Sequence, residues 1–326
     1  MTQYSPIAAE KPVRNAGIPL NTDWVEAVRA NTPAIEHRVG TLTGRRTVKK
    51  DYQAAWLAKA ITCIDLTTLS GDDTEDRVRR LCAKARNPVR ADLLARLGLE
   101  PGELTTGAVC VYHDMISAAK DALAGTAIPV AAVSTGFPAG LSPFELRIRE
   151  VEASVAAGAD EIDIVISRRH VLRQDWCALY EEIAAFRAAC GEAHMKTILA
   201  TGDLKTLRNA YRASLVAMMA GSDFIKSSTG KEAVNATLPV SLTMLRAIRD
   251  YRERTGFLVG YKPAGGISHA KDALTYQVLI KEELGRRWLE PDLFRFGASS
   301  LLADIERQLE HHVTGAYSAL RRHPIA

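Results

Sequence analysis

Eight apolar runs of strand length recur along this chain, and each gap between them leaves room for at least one helix. The runs span residues 60–69, 108–115, 129–138, 161–167, 194–202, 223–230, 257–266 and 293–302. Their starts lie 21 to 48 residues apart. A strand that pairs in parallel with its predecessor needs a crossover of a dozen or more residues, so this spacing predicts successive βα units. Residues 61–302 make 242 positions, close to the ~250 residues of a closed (β/α)8 barrel. The expected fold is therefore α/β, a (β/α)8 TIM barrel. The competing arrangement is an open doubly wound sheet. No G-x-G-x-x-G follows the first run, and the repeat has no break where a second domain would begin.

The segments between the runs carry helical signals. Ser142 reads as the N-cap and Pro143 as the first turn of a helix with a stripe of Phe144, Ile148, Val151 and Val155 at 4-3-4 spacing, and Glu145 is placed for a capping box. Gly158 suits the stop of that helix. Residues 175–190, 204–220 and 239–254 repeat the pattern. Residues 76–99 read as two helices split near Asn87-Pro88, because proline disfavours helix at the residue before it. Residues 1–58 stand outside the repeat, with one short helix over 23–30 capped by Thr22 and another over 52–59. The expected organisation is an N-terminal helical extension packed on the barrel (1–58), the catalytic barrel (59–313) and a C-terminal tail (314–326).

Charge and cysteine usage exclude whole classes of function. Lys and Arg number 42 against 38 Asp and Glu, a net charge of +4. So small a bias suits a small anionic ligand and does not demand nucleic acid. The densest basic run, Arg45, Arg46, Lys49 and Lys50, reads as a solvated helix face. Five cysteines, at 63, 82, 110, 177 and 190, are odd in number and form no C-x-x-C. That argues against a disulfide framework or zinc ribbon and for a reducing cytoplasm. Residues 1–17 lack the apolar core of a signal peptide, and the apolar stretch 215–220 is too short to span a bilayer. The eight histidines are dispersed without an H-E-x-x-H, so a metal site is not expected. Cys110, inside a strand, reads as a buried inert thiol.

Barrel enzymes carry their chemistry at the C-terminal ends of the strands. Charges inside apolar runs therefore stand out: Lys196, Lys226, Lys262, Asp163 and Asp65. Strand alternation puts Ile162, Ile164 and Ile166 on one face and Glu161, Asp163, Val165 and Ser167 on the other, inward one. Phe224 shares a face with Lys226, and Leu258 and Gly260 share one with Lys262. A lysine is almost never fully buried without a partner. One reason to bury a pair is Schiff-base chemistry: an amine attacks a carbonyl only when unprotonated, and a neighbouring ammonium with partial desolvation lowers its pKa. The alternative is that these lysines pair structurally with Asp163 or Glu161. Three loops look built for phosphate. Ala264-Gly265-Gly266 bares backbone N–H groups, and Gly297-Ala298-Ser299-Ser300 leads into a helix whose N-terminus favours anions. Ser228-Thr229-Gly230-Lys231 adds a cation. Taken singly, each glycine could be no more than a cap. Thr67, near Asp65, is placed either for a substrate hydroxyl or for a local pair.

At these residues the chain resembles the deoxyribose-phosphate aldolase family. The matching strings are Ile64-Asp-Leu-Thr-Thr-Leu69, Ala159-Asp-Glu-Ile-Asp-Ile-Val165, Lys196-Thr-Ile-Leu-Ala-Thr-Gly202 and Asp223-Phe-Ile-Lys-Ser-Ser-Thr-Gly-Lys-Glu-Ala-Val-Asn-Ala-Thr237. Two more are Tyr261-Lys-Pro-Ala-Gly-Gly266 and Phe294-Arg-Phe-Gly-Ala-Ser-Ser-Leu-Leu302. The extension, with Arg45-Arg-Thr-Val-Lys-Lys50 and Trp56, is similar to the longer form of the family. The resemblance implies a class I aldolase on a TIM barrel. Lys226 would be the Schiff-base lysine, Lys262 its pKa perturber, Asp163 the proton relay and Lys196 its orienting partner. Asp65 and Thr67 would lie near the sugar hydroxyls. Thr229, Gly230, Lys231, Gly265, Gly266, Gly297, Ser299 and Ser300 would hold the substrate's phosphate end.

The implied reaction is reversible cleavage of 2-deoxy-D-ribose 5-phosphate to D-glyceraldehyde 3-phosphate and acetaldehyde, in deoxyribonucleotide catabolism, with no metal or organic cofactor. The expected partner is a small phosphosugar, with no nucleic acid or membrane, and a homo-oligomer is compatible with this reading. Three departures stand out. Ser268 occupies a place where many members carry Arg, Val111-Tyr112-His113 replaces a usual Tyr-Pro, and the tail's tyrosine is Tyr317 rather than the terminal one of the short members. Two other functions compete. One is a phosphosugar-binding or scaffold protein without activity, to which a lysine pair is useless. The other is a Schiff-base aldolase for a keto acid, which would want arginines facing a carboxylate.

Overall fold

The computed structural model describes residues 13–45, 48–319 and 322–323. Arg46 of the basic run and residues 1–12 of the N-terminal reading lie outside them. The extension forms α1 (Thr22–Ala27), α2 (Thr32–Gly40), α3 (Leu42–Arg45) and α4 (Lys50–Thr62), and leads into β1 (Ile64–Thr67). There follow α5 (Glu75–Arg86), α6 (Ala91–Leu97), β2 (Ala108–Tyr112), α7 (Ile116–Ala122), β3 (Val130–Ser134), α8 (Phe144–Ala156) and β4 (Glu161–Val165). Next come α9 (Arg168–Leu172), α10 (Trp176–Ala189), β5 (His194–Ile198), α11 (Leu207–Met219), β6 (Phe224–Lys226) and α12 (Leu238–Thr255). The last turns of the repeat are β7 (Gly260–Lys262), α13 (Ala270–Leu284), β8 (Phe296–Ala298) and α14 (Leu301–Thr314).

The eight strands are all parallel and pair in the order β7-β6-β5-β4-β3-β2-β1-β8. Parallel bridges Tyr261–Phe294 and Ala264–Gly297 join β7 to the β8 segment and close the barrel. Apolar residues divide into two clusters. Ile162, Ile164 and Ile166 join the large core between strands and helices, whereas Val165, Cys110, Ala131, Val133, Phe137 and Ile198 form a small cluster inside the barrel. That division is the inward–outward alternation expected of β4.

The extension packs on the barrel helices, α1 on α11, α2 on α12, and α4 on α13 and α14. Ahead of α1, Asn15 is buried and donates to Met218 O at 2.8 Å and Ser222 O at 2.9 Å, which ties the leading segment to the foot of β6. No helix among the described residues is long and apolar enough to cross a membrane.

Several local expectations are corrected. The paired strands are shorter than the apolar runs; Ala60 and Ile61 belong to α4, which extends to Thr62. The helix over 23–30 ends at Ala27 and is capped by Asn21, not Thr22, whose place is inside the first turn. In α8, Pro143 is the cap residue and no side chain caps the end. Phe144 is exposed there, because the buried face of α8 is taken by Arg147, Val151 and Ser154. Arg147 lies 2.8 Å from Glu182 of α10 in an ion pair closed off from water. Ser167 is drawn to that pair and does not face the barrel interior: its N–H and Oγ both donate to Glu182. The split at Asn87-Pro88 stands as expected, between α5 and α6.

Candidate active site

Seven charged side chains meet inside the barrel. Asp65 comes from β1, Glu161 and Asp163 from β4, Lys196 from β5, Lys226 from β6, Lys262 from β7, and Arg295 from the residue before β8. All are buried. Asp163 lies at the centre. Its Oδ2 accepts hydrogen bonds from Lys226 and Lys262, each at 2.8 Å, and its Oδ1 accepts from Lys196 at 3.1 Å. Lys262 also donates to Asp65, and Lys196 to Glu161. Arg295 completes the contacts, with Nη1 2.6 Å from Asp65 Oδ1 and Nη2 2.9 Å from Glu161 Oε1.

Register sets the depth of each group. Asp163 pairs with Lys196, and Lys196 with Phe224, so these three share one level. Lys226 stands two residues further along β6, nearer the mouth, directly beside Lys262 of β7. Phe224 fills the space beneath it. That needs a glycine at 260, since a Cβ there would come within 2.4 Å of the Phe224 ring. The apolar cluster around Cys110, Val133 and Ile198 shares the barrel interior with the lysines. Ammonium groups are thereby deprived of water, which is the condition that lowers a lysine pKa.

The lysines respond differently to the same burial. For Lys226, burial and the nearby Lys262 ammonium outweigh Asp163, and its pKa is lowered. For Lys262, burial is outweighed by Asp163 and Asp65, and its pKa is raised. Lys196 is raised against burial by Asp163, Glu161 and Asp65. Burial alone would raise Asp163, but Lys196, Lys226 and Lys262 hold it well below the ordinary carboxylate range. Asp65 is likewise lowered against burial by Lys262, Arg295 and Lys196. One lysine is thus readied to lose its proton among groups that keep theirs.

The three glycine-bearing loops lie side by side. Ala264 bridges to Gly297, the Gly265 N–H points to Gly297 O at 3.5 Å, and Ser228 Oγ donates to Ala264 O at 2.5 Å. Gly265 has φ +78°, and a Cβ there would meet Asn235 at 2.6 Å, so the position admits little but glycine. A Cβ built on Gly230 would lie 3.8 Å from Gly265 Cα. Ser299 and Ser300 are exposed at the head of α14, and Lys231 is exposed on its loop. Thr229 is engaged: its N–H and Oγ1 donate to Glu232.

Lys226, Lys262, Lys196, Asp163 and Asp65 are therefore brought together, and the loop residues gather in a second group. Asp65 lies in the buried ion cluster, and Thr67, two residues on, donates to the Asp65 carbonyl at 2.7 Å. Tyr317 stacks on His311 with ring centroids 4.1 Å apart, near the end of α14 remote from Ser300. The residue that sequence reasoning missed is Arg295. Its signal was present, a charge inside an apolar run between Phe294 and Phe296.

Barrel and lysine cluster together define an enzyme of the aldolase class, a lyase. The chain belongs to the DeoC/LacD family of aldolases, whose model matches residues 59–306. It is similar to the deoxyribose-phosphate aldolase of Homo sapiens, with 57% identity over 314 residues, 96% of this chain and 99% of the relative. The Mus musculus deoxyribose-phosphate aldolase is 58% identical over 312 residues, covering 95% of this chain and 98% of the relative. A solved structure of deoxyribose phosphate aldolase from Aeropyrum pernix shares the fold. Its TM-score is 0.59 at 20% identity, covering 86% of this chain and 99% of the other.

Proposed function

We propose that the protein is a cytoplasmic Schiff-base aldolase. It reversibly cleaves 2-deoxy-D-ribose 5-phosphate to D-glyceraldehyde 3-phosphate and acetaldehyde in deoxyribonucleotide catabolism. The observation that carries this reading is the buried Lys226, its pKa lowered by burial and by Lys262, on an oxygen of Asp163 that Lys262 shares. The curated relatives' names supply the substrate. The five unpaired cysteines suit a reducing compartment.

In this reading the neutral Lys226 amine attacks C1 of the open-chain sugar, and loss of water leaves a protonated imine. A base takes the proton of the C3 hydroxyl. The C2–C3 bond then breaks, its electrons pass into the imine, and glyceraldehyde 3-phosphate departs. The remaining enamine takes a proton at carbon, and water hydrolyses the resulting imine to acetaldehyde and free Lys226. Asp163, hydrogen-bonded to Lys226, Lys262 and Lys196, would act as the proton relay at the reacting centre. The loops at Gly230, Gly265 and Gly297, with Ser299, Ser300 and Lys231, would bind the phosphate through backbone N–H groups and one cation. Residues 59–313 would then be the catalytic unit.

Incubation with 2-deoxyribose 5-phosphate, with triose phosphate and acetaldehyde measured separately, tests the reading. Equal amounts of the two products are expected. No cleavage by folded protein that does cleave a keto-acid aldol would replace the substrate.

A further inference from the structure

The seven buried charges divide into a closed ring and one outlier. Asp163, Lys262, Asp65, Arg295, Glu161 and Lys196 alternate in sign, each hydrogen-bonds the next, and Lys196 returns to Asp163. The ring holds three cations and three carboxylates and is neutral. Lys226 hangs from it by the single contact to Asp163. With every group ionised, four cations face three carboxylates in a site closed to water. One proton too many is present, and it can be lost only where it is least compensated.

We infer that Arg295 is a positioning residue that makes Lys226 the lysine to lose that proton. A guanidinium does not deprotonate in a protein. By occupying Asp65 Oδ1 and Glu161 Oε1, Arg295 consumes carboxylate charge that would otherwise hold a lysine proton. Lys262 keeps Asp65 and Asp163, and Lys196 keeps Glu161 and Asp163; Lys226 has only a share in one oxygen. The inference rests on Lys226 being the imine-forming lysine.

The other titratable groups that face this site do not alter the sum. Cys110 of β2 adjoins Lys226 and Lys262, and burial raises its thiol pKa. Cys63, facing Arg295, is pushed by burial to about 11. His194, at the start of β5 near Glu161 and Asp223, is lowered by burial. All three are neutral at pH 7, so seven charges decide the outcome.

The test is the acid limb of the pH dependence of kcat/KM and of borohydride trapping, in variants that change the charge sum in opposite directions. Arg295→Met leaves three cations and three carboxylates, so Lys226 retains its proton and the limb moves alkaline by about one pH unit or more. Glu161→Gln leaves four cations and two carboxylates, and the limb moves acid. The double variant, with three cations and two carboxylates, restores an excess of one and brings the limb back toward its native position. A purely structural role would lower thermal stability without moving the limb, or move it the same way in both single variants; either result overturns the inference. Where only one single variant folds, a limb that stays in place or moves against the sign given for that variant overturns the inference. Adduct on Lys226 with unmoved limbs rejects Arg295's role and leaves the imine lysine in place. Native protein that forms no adduct on Lys226 rejects the reading beneath both.

Discussion

Lys226 Nζ stands 2.8 Å from Asp163 Oδ2, and among the described residues Asp163 is the one side chain to which Lys226 donates a hydrogen bond. The same oxygen accepts from Lys262 at 2.8 Å. A carboxylate divided in this way holds neither ammonium as firmly as it would hold one. Lys262 has Asp65 in compensation, and Lys226 has nothing further.

Lys262→Met should therefore leave Asp163 to Lys226 alone. Removing the neighbouring cation raises the Lys226 pKa, and activity requires the unprotonated amine, so the acid limb of the pH–rate profile moves alkaline. For every pH unit the limb moves, the free amine present at pH 7 falls about tenfold. The expected profile is a limb displaced by about one to two pH units, with partial recovery of rate at high pH. A normal rate with the limb in its native place would show that the two lysines do not share charge.

The loop at Gly265 allows a different test. Gly265→Ala places a methyl against Asn235 at a backbone φ that disfavours side chains. KM for the phosphorylated sugar should rise about tenfold, equivalent to ~1.4 kcal/mol of lost binding. Cleavage of unphosphorylated 2-deoxyribose should change little, because the lysine cluster lies on other residues. Equal losses on both substrates would mean that the loop does not serve the phosphate.

Much of this site could be read from strand alternation. Lys196, Lys226, Lys262, Asp163 and Asp65 interrupt apolar runs, and a charge in that position has to point into the barrel toward a partner. Which charges touch could not be read, since contact depends on register between strands far apart in sequence. Arg295 shows the limit: its partners Asp65 and Glu161 lie 230 and 134 residues earlier in the chain. Strand ends were overrun for a related reason. Burial continues past the strands, at Ser227 and Ser228 after β6 and at Val259 and Ala264 around β7, yet β6 and β7 are each only three residues long. The start of α8 was misread because Phe144, apolar and well spaced, is displaced from the buried face by an arginine whose partner sits on another helix.

That arginine pair supports the fold rather than the chemistry. Glu182 receives Arg147 at 2.8 Å together with the N–H and hydroxyl of Ser167, and its side chain is only 4% exposed. Glu182→Ala strands a buried guanidinium and two donors, a change that costs about 3–5 kcal/mol. Urea unfolding should show the loss as a lower midpoint, with the acid limb of activity unmoved. A loss below about 1 kcal/mol would mean that water reaches the pair in solution.

The central claim is that Lys226 forms the covalent intermediate, and borohydride reduction in the presence of acetaldehyde or 2-deoxyribose 5-phosphate tests it most directly. Reduction converts the imine to a stable secondary amine, which peptide mapping locates. The adduct should fall on the peptide holding Lys226 and be absent from those holding Lys196 and Lys262. Lys226→Ala should lose trapping and cleavage together while still binding the phosphorylated sugar. Adduct on Lys262, or near-native cleavage by Lys226→Ala, would contradict the assignment.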